Sequence, residues 1–244
     1  MSAKRIVMVT GAAQGLGNGI AEAFAEVGDH VIVADINGVE AARTATALKG
    51  EAVELDISSV QDVRTTVAEI EARHGRIDVL VNNAGVVGGG GPLLELDPDI
   101  LNAALAVNVR GTWLVTQAVG KVMLKAQRGA IVNVSSVGAR QPTPGLGHYE
   151  ATKAAVDAIT RTTAIELAPY GIRANAVAPG PIITPLTVGM AADPAARAAW
   201  EARIPLGSIA EVERIAPAVV FLASDAAAHI TGVSLAIDGG QLLV

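Results

Sequence analysis

Three side chains in the second half of the sequence have the types and spacing needed to move a proton to or from an oxygen. Ser136 offers a hydroxyl, Tyr149 a phenol and Lys153 an amine, with a loop rich in Gly and Pro after the serine. If the segment from Tyr149 is helical, residues four apart share one face, so the phenol and the amine are neighbours. A nearby cation lowers a tyrosine pKa from its ordinary value of about 10 toward neutrality. These groups suit alcohol oxidation or carbonyl reduction, provided that a hydride carrier binds beside them.

The composition is that of one folded domain. The chain has 244 residues, 51% of them apolar and 2% aromatic, so we expect a single domain over residues 1–244 with an aliphatic core. A net charge of −6, with acidic and basic residues interspersed, argues against a nucleic-acid partner. Cysteine is absent, and there is neither a secretory signal nor a run of about 18 apolar residues. We therefore expect a cytoplasmic protein without a membrane partner, a disulfide framework or metal ligands.

Short β-branched runs alternate with longer alanine-rich segments along the chain. The β-branched runs are nearly continuous in Val, Ile and Leu, as in parallel strands buried on both faces. This alternation predicts an α/β fold of the Rossmann type: a doubly wound parallel sheet of about seven strands with helices on both faces. The predicted strands are Arg5–Thr10, His30–Ala34, Glu51–Leu55, Asp78–Asn82, Ala130–Ser135, Ile172–Ala178 and Val233–Ile237. The predicted helices are Leu16–Val27, Val39–Leu48, Val60–His74, Pro98–Gln127, Tyr149–Leu167 and Val212–Ala223.

A glycine-rich segment, TGAAQGLG, joins the first predicted strand to the first predicted helix, with glycines at Gly11, Gly15 and Gly17. Small residues let backbone amides approach a pyrophosphate, and the next helix directs its positive end there. The spacing is G-x-x-x-G-x-G rather than the common G-x-G-x-x-G fingerprint. Its place at the end of the first strand favours nucleotide binding over an ordinary glycine-rich turn, because ligands of such sheets bind at the carboxyl ends of the strands.

The acidic residue at the end of the second strand indicates which dinucleotide binds. Asp35 follows the glycine turn by about 20 residues, where a carboxylate accepts hydrogen bonds from an adenosine ribose and repels a 2′-phosphate. The next residue is Ile36, and no basic residue follows it at once, so we expect NAD(H) to be preferred over NADP(H). The alternative is a solvated acid that caps the following helix.

Two further strand ends carry residues suited to the rest of a dinucleotide. Asp56 either accepts a hydrogen bond from the adenine amino group, with Ile57 packing nearby, or caps the next helix; both interpretations stay open. After the fourth strand, Asn83, Ala84 and Gly85 leave room for a ribose close to the backbone.

Asn108 stands in a predicted helix that is otherwise rich in leucine and valine. A buried amide there needs hydrogen-bond partners, so a structural role is the more direct interpretation. The alternative is an interruption of the helix that exposes a carbonyl to water near Lys153.

In this order, the motifs resemble the short-chain dehydrogenase/reductase family in its compact single-domain form. The resemblance extends from Thr10 to the DGG at Asp238–Gly240. It rests on TGAAQGLG, Asp35, NNAG (Asn82–Gly85), Asn108, Ser136, Tyr149-x-x-x-Lys153 and PGPIIT (Pro179–Thr184). It implies a catalytic tetrad of Asn108, Ser136, Tyr149 and Lys153. Ser136 is preferred to Ser135, because the family places its serine thirteen residues before the tyrosine.

The resemblance also implies how the cofactor and the subunits are arranged. Gln14 and Leu16 border the phosphates, and Lys153, beside Tyr149, binds the nicotinamide ribose. Ile182 and Thr184 contact the nicotinamide end, and Pro179 and Gly180 of the same segment also belong to the cofactor site. The family commonly forms tetramers through two helices, which here are 98–127 and 149–167.

The resemblance places the substrate under a variable loop at about residues 184–205. Its walls are predicted to be largely apolar with one or two polar handles. The predicted pocket residues are Val137, Gln141, Leu146, His148 and Leu186. His148 lies outside the family motif, and we expect it to line the pocket or pack on the surface rather than act as a base.

These expectations describe an oxidoreductase that transfers a hydride between NAD(H) and a secondary alcohol or ketone of modest size. One alternative is an NADP-dependent 3-oxoacyl-type reductase, and another is a non-catalytic nucleotide sensor on the same fold. An isomerase or dehydratase with bound NAD would need a further substrate lobe. An enoyl reductase of the related form spaces its tyrosine and lysine more widely.

Overall fold

The computed structural model of the protein describes residues 4–184, 187 and 192–244. Its strands are β1 (Ile6–Thr10), β2 (His30–Asp35), β3 (Glu51–Glu54), β4 (Val79–Asn82), β5 (Gly129–Val134), β6 (Ile172–Pro179) and β7 (Ser234–Ile237). They form one sheet in the order β3-β2-β1-β4-β5-β6-β7, and every neighbouring pair is parallel. The predicted seven-stranded parallel sheet is confirmed, and each strand begins and ends within one residue of its predicted bounds.

Helices connect the strands. They are α1 (Gly15–Glu26), α2 (Gly38–Leu48), α3 (Val60–His74), α4 (Pro98–Ala104), α5 (Thr112–Ala126), α6 (Gly147–Leu167), α7 (Pro194–Glu201) and α8 (Ala216–Leu222). The single long helix predicted over 98–127 is divided by a π-helical segment, Leu105–Gly111. Helix α7 lies in the expected variable loop and was not predicted. None of the described helices combines the length and hydropathy needed to cross a bilayer.

Alternate residues of each strand supply two separate apolar layers. In β1, Val7 and Val9 face a layer that includes Phe24 of α1 and Leu222 of α8. The intervening Met8 faces the other layer, together with buried side chains of α3 and α5. Because both faces of the sheet are covered at its centre, strands β1 and β4 are apolar at nearly every position.

The strand order reverses beside β1, whose neighbours are β2 and β4. Crossovers leave the sheet toward opposite faces at such a point, which opens a crevice at the carboxyl ends of the strands. Two buried amides hold the strands next to this crevice: Asn82 donates to Asn133 at 2.8 Å, and Asn133 donates to Thr160 at 2.8 Å. The floor of the crevice is therefore fixed by side chains as well as by the sheet.

Candidate active site

The glycine turn between β1 and α1 packs against the end of β4. Gly11 has a φ of 63°, and a Cβ there would lie 2.7 Å from the Ala84 Cα, so a larger residue does not fit. A Cβ on Gly17 would collide with the Gly11 carbonyl oxygen. The Asn83 amide donates to the carbonyls of Thr10 and Gly11 at 3.0 and 2.9 Å. The turn is thus a close-packed cradle held by the neighbouring strand end.

The Asp35 carboxylate connects the end of β2 to this turn. Its oxygens accept hydrogen bonds from the backbone amides of Ala13 and Asn37, each at 3.0 Å. Helix α2 is capped by Asn37, which accepts from the Glu40 amide at 3.1 Å, so the capping alternative for Asp35 is wrong. Ile36 is 68% exposed.

The Asp56 carboxylate makes a local turn after β3. It accepts from the backbone amide and the hydroxyl of Ser58 at 2.8 and 2.7 Å. Ser59 caps α3, so the capping alternative for Asp56 is also wrong. Ile57 is buried in the core against Gly111, where a Cβ would lie 2.7 Å from the Ile57 side chain.

The hydroxyl, phenol and amine singled out in the sequence meet at one cavity. Tyr149 and Lys153 lie in the first two turns of α6, and the Lys153 Nζ is 5.5 Å from the centre of the Tyr149 ring. The same Nζ donates to the Val134 carbonyl at 2.8 Å. Ser136, just beyond β5, accepts from the Gly138 amide at 3.1 Å. The two side chains on α6 therefore point to the same side of the helix, toward the serine.

Burial shifts the two titratable groups in opposite directions. It raises the pKa of the Tyr149 phenol; a hydrogen bond with Ser136 opposes this rise, and the neighbouring Glu150 charge adds to it. Burial lowers the pKa of Lys153 from 10.5 to about 8, against the attraction of Asp157. The expectation that Lys153 lowers the pKa of Tyr149 is therefore not met by the protein's own groups, because desolvation of the phenolate is the largest contribution.

Ser135 and Ser136 have different partners. The Ser135 hydroxyl donates to the Lys153 backbone carbonyl at 3.2 Å, which ties α6 to the end of β5. Ser136 instead places its hydroxyl beside Tyr149.

Asn108 lies in the π-helical segment and is 1% exposed. Its oxygen accepts from the Val86 amide at 2.8 Å, while its nitrogen donates to the Val86 carbonyl at 2.8 Å and to Thr152 at 2.9 Å. The partners that a buried amide requires are present, and the π-helical segment supplies the interruption of the helix that was the alternative interpretation. π-Helical turns are often found at functional sites.

A cavity of about 420 Å³ lies at the carboxyl ends of the strands. The predicted cofactor residues in its wall are Gln14, Gly15, Leu16, Gly17, Asn83, Gly85, Tyr149, Lys153, Pro179, Gly180, Ile182 and Thr184. The described part of the wall does not include Gly11, Asp35, Ile36, Asp56, Ile57, Ala84 or Asn108. Gly11, Asp35 and Ala84 instead hold the glycine turn from behind.

The predicted substrate pocket is only partly reproduced. Val137 and Leu146 line the cavity, and Leu186 lies outside the described residues. His148 is absent from the described wall, because its buried ring donates from Nε2 to the Val87 carbonyl at 2.8 Å. Gln141 is likewise absent, because its amide donates to the Val244 carbonyl at 3.1 Å and accepts from Gln241 at 2.9 Å. Both placements correct the prediction.

Among the lining residues that the sequence prediction did not name are Glu150, Trp200 and Gln241. Glu150 accepts from the Thr143 amide at 2.5 Å, which closes the loop before α6. Trp200 reaches the cavity from α7, and Gln241 reaches it from the carboxy-terminal segment. Glu150 could have been identified from the sequence, because it directly follows Tyr149. Nothing in the sequence marks Gln241, which lies 100 residues from Gln141.

The sequence of the whole chain is similar to those of known oxidoreductases. A family model described as enoyl-(acyl carrier protein) reductase matches residues 11–241. The 3-oxoacyl-[acyl-carrier-protein] reductase of Thermotoga maritima is 38% identical over 244 residues, or 98% of each protein. The cis-4-hydroxycyclohexanecarboxylate dehydrogenase of Sinomonas cyclohexanicum is 39% identical over 246 residues, or 99% of this chain and 98% of that protein.

Solved structures agree over the same length. A gluconate 5-dehydrogenase from Burkholderia cenocepacia, in complex with NADP and tartrate, superposes with a TM-score of 0.95 at 34% identity; the match covers 98% of this chain and 96% of that one. A 3-ketoacyl-(acyl-carrier-protein) reductase from Brucella melitensis, complexed with NADH, gives a TM-score of 0.89 at 35% identity and 98% coverage of both chains.

Proposed function

The chain belongs to the short-chain dehydrogenase/reductase family, and we propose that it is an NAD(H)-dependent oxidoreductase that interconverts a secondary alcohol of modest size and its ketone. One observation carries this proposal. The Ser136 hydroxyl, the Tyr149 phenol and the Lys153 ammonium share a single cavity with the glycine turn after β1.

The residues present fit a nicotinamide dinucleotide. Residues 14–17 line the cavity at the amino terminus of α1, where backbone amides and the positive end of the helix suit a pyrophosphate. The glycines at Gly11 and Gly17 let this turn pack against the end of β4. Lys153 and Tyr149 are the residues proposed to hold the nicotinamide ribose, and Ile182 and Thr184 the nicotinamide end. When bound, the dinucleotide supplies a carbon that accepts or donates the hydride.

Proton transfer depends on four residues with different roles: Asn108, Ser136, Tyr149 and Lys153. Ser136 holds the reacting oxygen, and Tyr149 donates a proton to it during ketone reduction or removes one during alcohol oxidation. The buried Lys153 ammonium stabilises the phenolate that forms when the proton leaves. Asn108 fixes the Val86 backbone and Thr152 on α6, so we propose that it positions the Tyr149–Lys153 pair.

Asp35 supports a preference for NAD(H). Its carboxylate is held by two backbone amides at the end of β2, and the exposed Ile36 offers no positive charge for a 2′-phosphate. The related structures contain NADP in one case and NADH in another, so family membership does not decide between the two cofactors.

The substrate side of the cavity is mainly apolar. Val137, Leu146 and Trp200 form its wall, with Glu150 and Gln241 as polar groups. This lining supports a compact substrate, such as a cyclic or short-chain secondary alcohol, with one polar substituent.

A second candidate is 3-oxoacyl thioester reduction, which the relative from Thermotoga maritima favours. The apolar wall admits a short acyl chain. Enoyl reduction is named in the description of the matching family model, but the four-residue interval between Tyr149 and Lys153 favours carbonyl chemistry.

The test measures the formation or consumption of NADH and of NADPH across a panel of matched substrates. The panel contains cyclic and linear secondary alcohols, their ketones, a 3-oxoacyl thioester and an enoyl thioester, each with both cofactors. We expect turnover with secondary alcohols and ketones, and a higher kcat/KM with NAD(H). Turnover confined to the 3-oxoacyl thioester would favour the second candidate, and turnover of none would overturn the proposal.

We also expect a homotetramer. Helices α5 and α6 present large apolar side chains to solvent, among them Trp113, 50% exposed, and Ile165, 78% exposed. Sedimentation would test this, since a monomer at micromolar concentration would contradict it.

A further inference from the structure

Two histidines and a glutamate meet at the edge of the sheet opposite the active-site cavity. His30 is the first residue of β2, Glu51 the first of β3 and His74 the last of α3. The His74 Nε2 lies 2.8 Å from the Glu51 Oε2, and the His30 Nε2 lies 4.0 Å from the same oxygen. The three ligand-type atoms all lie within 4.8 Å of one another. The first residues of β2 and β3 and the last residue of α3 thus bring together side chains that are more than 20 residues apart in the sequence.

One ring nitrogen in this cluster is unsatisfied. The His30 Nε2 is buried and has no hydrogen-bond partner among the described residues. Its ring lies 5.2 Å from that of His74, centre to centre, and the two planes are tilted by 45°. A buried polar atom without a partner is costly in a folded protein and calls for a bound group or an explanation.

We propose that His30, Glu51 and His74 form a zinc-binding site. Tetrahedral Zn²⁺ with nitrogen and oxygen ligands at about 2.1 Å needs ligand atoms roughly 3.4 Å apart. That spacing lies between the two observed separations from Glu51, and the two histidine nitrogens lie within 4.8 Å of each other, so side-chain movements of about 1 Å create the site. Each imidazole binds in its neutral form through Nε2, and water fills the fourth position.

The donor set selects the kind of metal. Two imidazoles and one carboxylate suit Zn²⁺ and neighbouring transition metals, whereas Mg²⁺ and Ca²⁺ prefer sites made only of oxygen. The Arg73 guanidinium contacts the other carboxylate oxygen of Glu51. It therefore leaves Oε2 for the metal and orients the carboxylate, as outer-shell partners do.

A metal in this site would cross-link the elements at the edge of the sheet. Strand β3 lies at the end of the sheet and pairs only with β2 among the described strands, so a metal would join it to β2 and to the end of α3. His30 and Asp35 are the first and last residues of β2, which separates the metal site from the cofactor end by roughly 16 Å. Zinc is therefore expected to raise thermal stability without taking part in turnover.

The experiment measures Zn²⁺ binding to the full chain, after removal of any histidine tag, by competition with a chromophoric chelator. Co²⁺ absorption reports the coordination geometry, and Mg²⁺ serves as the negative control. We expect one zinc per chain and a higher melting temperature with zinc. His30→Asn and His74→Asn should each weaken zinc binding by about tenfold or more. His229→Asn, at an exposed histidine outside the cluster, should change neither result.

Retained NADH binding shows that the two cluster variants are folded. Glu51→Gln supplies a third, milder removal of a ligand. Equal zinc affinity in wild type and both histidine variants, or the absence of saturable binding, would overturn the proposal. Loss of binding in His229→Asn would overturn it as well, because it would place the metal elsewhere.

Discussion

The Lys153 ammonium nitrogen lies 5.5 Å from the centre of the Tyr149 ring, within the range of a cation–π contact. Burial nevertheless raises the pKa of the phenol and lowers that of the amine to about 8. The protein's own groups therefore keep the phenol protonated at neutral pH, which suits donation of a proton to a ketone. Alcohol oxidation needs a phenolate, so it requires further positive charge beside the ring or a higher pH.

Tyr149→Phe should remove turnover while leaving NADH binding intact. The variant keeps the ring and its packing and loses only the hydroxyl, so we expect kcat to fall by about a hundredfold or more. Tyr170→Phe is the matched control, since Tyr170 is the chain's other tyrosine and is 42% exposed. Steady-state kinetics and NADH fluorescence give the two readouts. A Tyr149→Phe enzyme that keeps more than about a tenth of wild-type kcat would show that another group carries the proton.

Lys153 should make the stability of the protein depend on alkaline pH. Its pKa is about 8 in the folded protein and near 10.5 when unfolded, so between these values the unfolded state binds more protons. Stability then rises with pH through this window, and the cost of burying the charged amine is fully present below it.

Compared with Lys153→Met, wild type should therefore gain about 2 kcal/mol in unfolding free energy from about pH 7.5 to about pH 10. Denaturant unfolding at both pH values measures this difference. Lys121→Met, on the exposed face of α5, is the control and should track wild type. Parallel pH profiles for Lys153→Met and wild type would mean that the amine is not shifted.

Asp35→Ala should relax discrimination against NADP⁺. Removing the carboxylate removes its repulsion of a 2′-phosphate, so the ratio of kcat/KM for NAD⁺ over NADP⁺ should fall by about tenfold. Part of the loss with NAD⁺ should come from the glycine turn, because Asp35 accepts from the Ala13 amide. Asp62→Ala, in the first turn of α3, controls for the change in net charge. An unchanged cofactor ratio would count against Asp35 as the selector.

Much of the fold could be predicted from sequence, because strands buried on both faces are apolar throughout and stand out between amphipathic helices. Val7, Met8 and Val9 show this directly, since neighbouring residues enter different apolar layers. The division of the helix over 98–127 was not predicted at its true bounds. A π-helical segment depends on tertiary partners of Asn108, namely the Val86 backbone and Thr152, which helix periodicity does not encode.

The candidate site, like the fold, was predicted from the sequence only in part. Tyr149 and Lys153 follow from local spacing, and the family resemblance selects Ser136 over Ser135; the structure brings all three to one cavity. Gln141 and His148 were misplaced because their side chains turn to backbone carbonyls remote in sequence. Burial raises the pKa of Tyr149 and so opposes the predicted lowering by nearby positive charge, because depth of burial cannot be inferred from the sequence.

Asn108→Ala should destabilise the protein and slow turnover. The change removes a buried hydrogen bond to Thr152 and two part-buried ones to the Val86 backbone, at a cost of about 1–3 kcal/mol. We expect kcat to fall with little change in KM, because Asn108 positions α6 rather than touching the substrate. Asn102→Ala, on the exposed surface of α4, is the control. Wild-type stability in Asn108→Ala would contradict the assigned role.

Gln241→Leu should change substrate preference without changing cofactor binding. The Gln141 nitrogen faces the Val244 carbonyl, so its oxygen faces the Gln241 nitrogen, which leaves the Gln241 Oε1 buried at the cavity without a partner among the described residues. Leucine keeps most of the volume and removes this unpaired acceptor, but it also removes the donor to the Gln141 Oε1, so we expect stability to fall by about 1 kcal/mol. A substrate with a hydrogen-bond donor loses its partner, and its KM should rise by about tenfold relative to an unsubstituted alcohol.

Kinetics on such matched pairs, with exposed Gln61→Leu as the control, measure the effect. An equal change in KM for both substrates of a pair would show that Gln241 shapes the cavity and does not accept a hydrogen bond from the substrate.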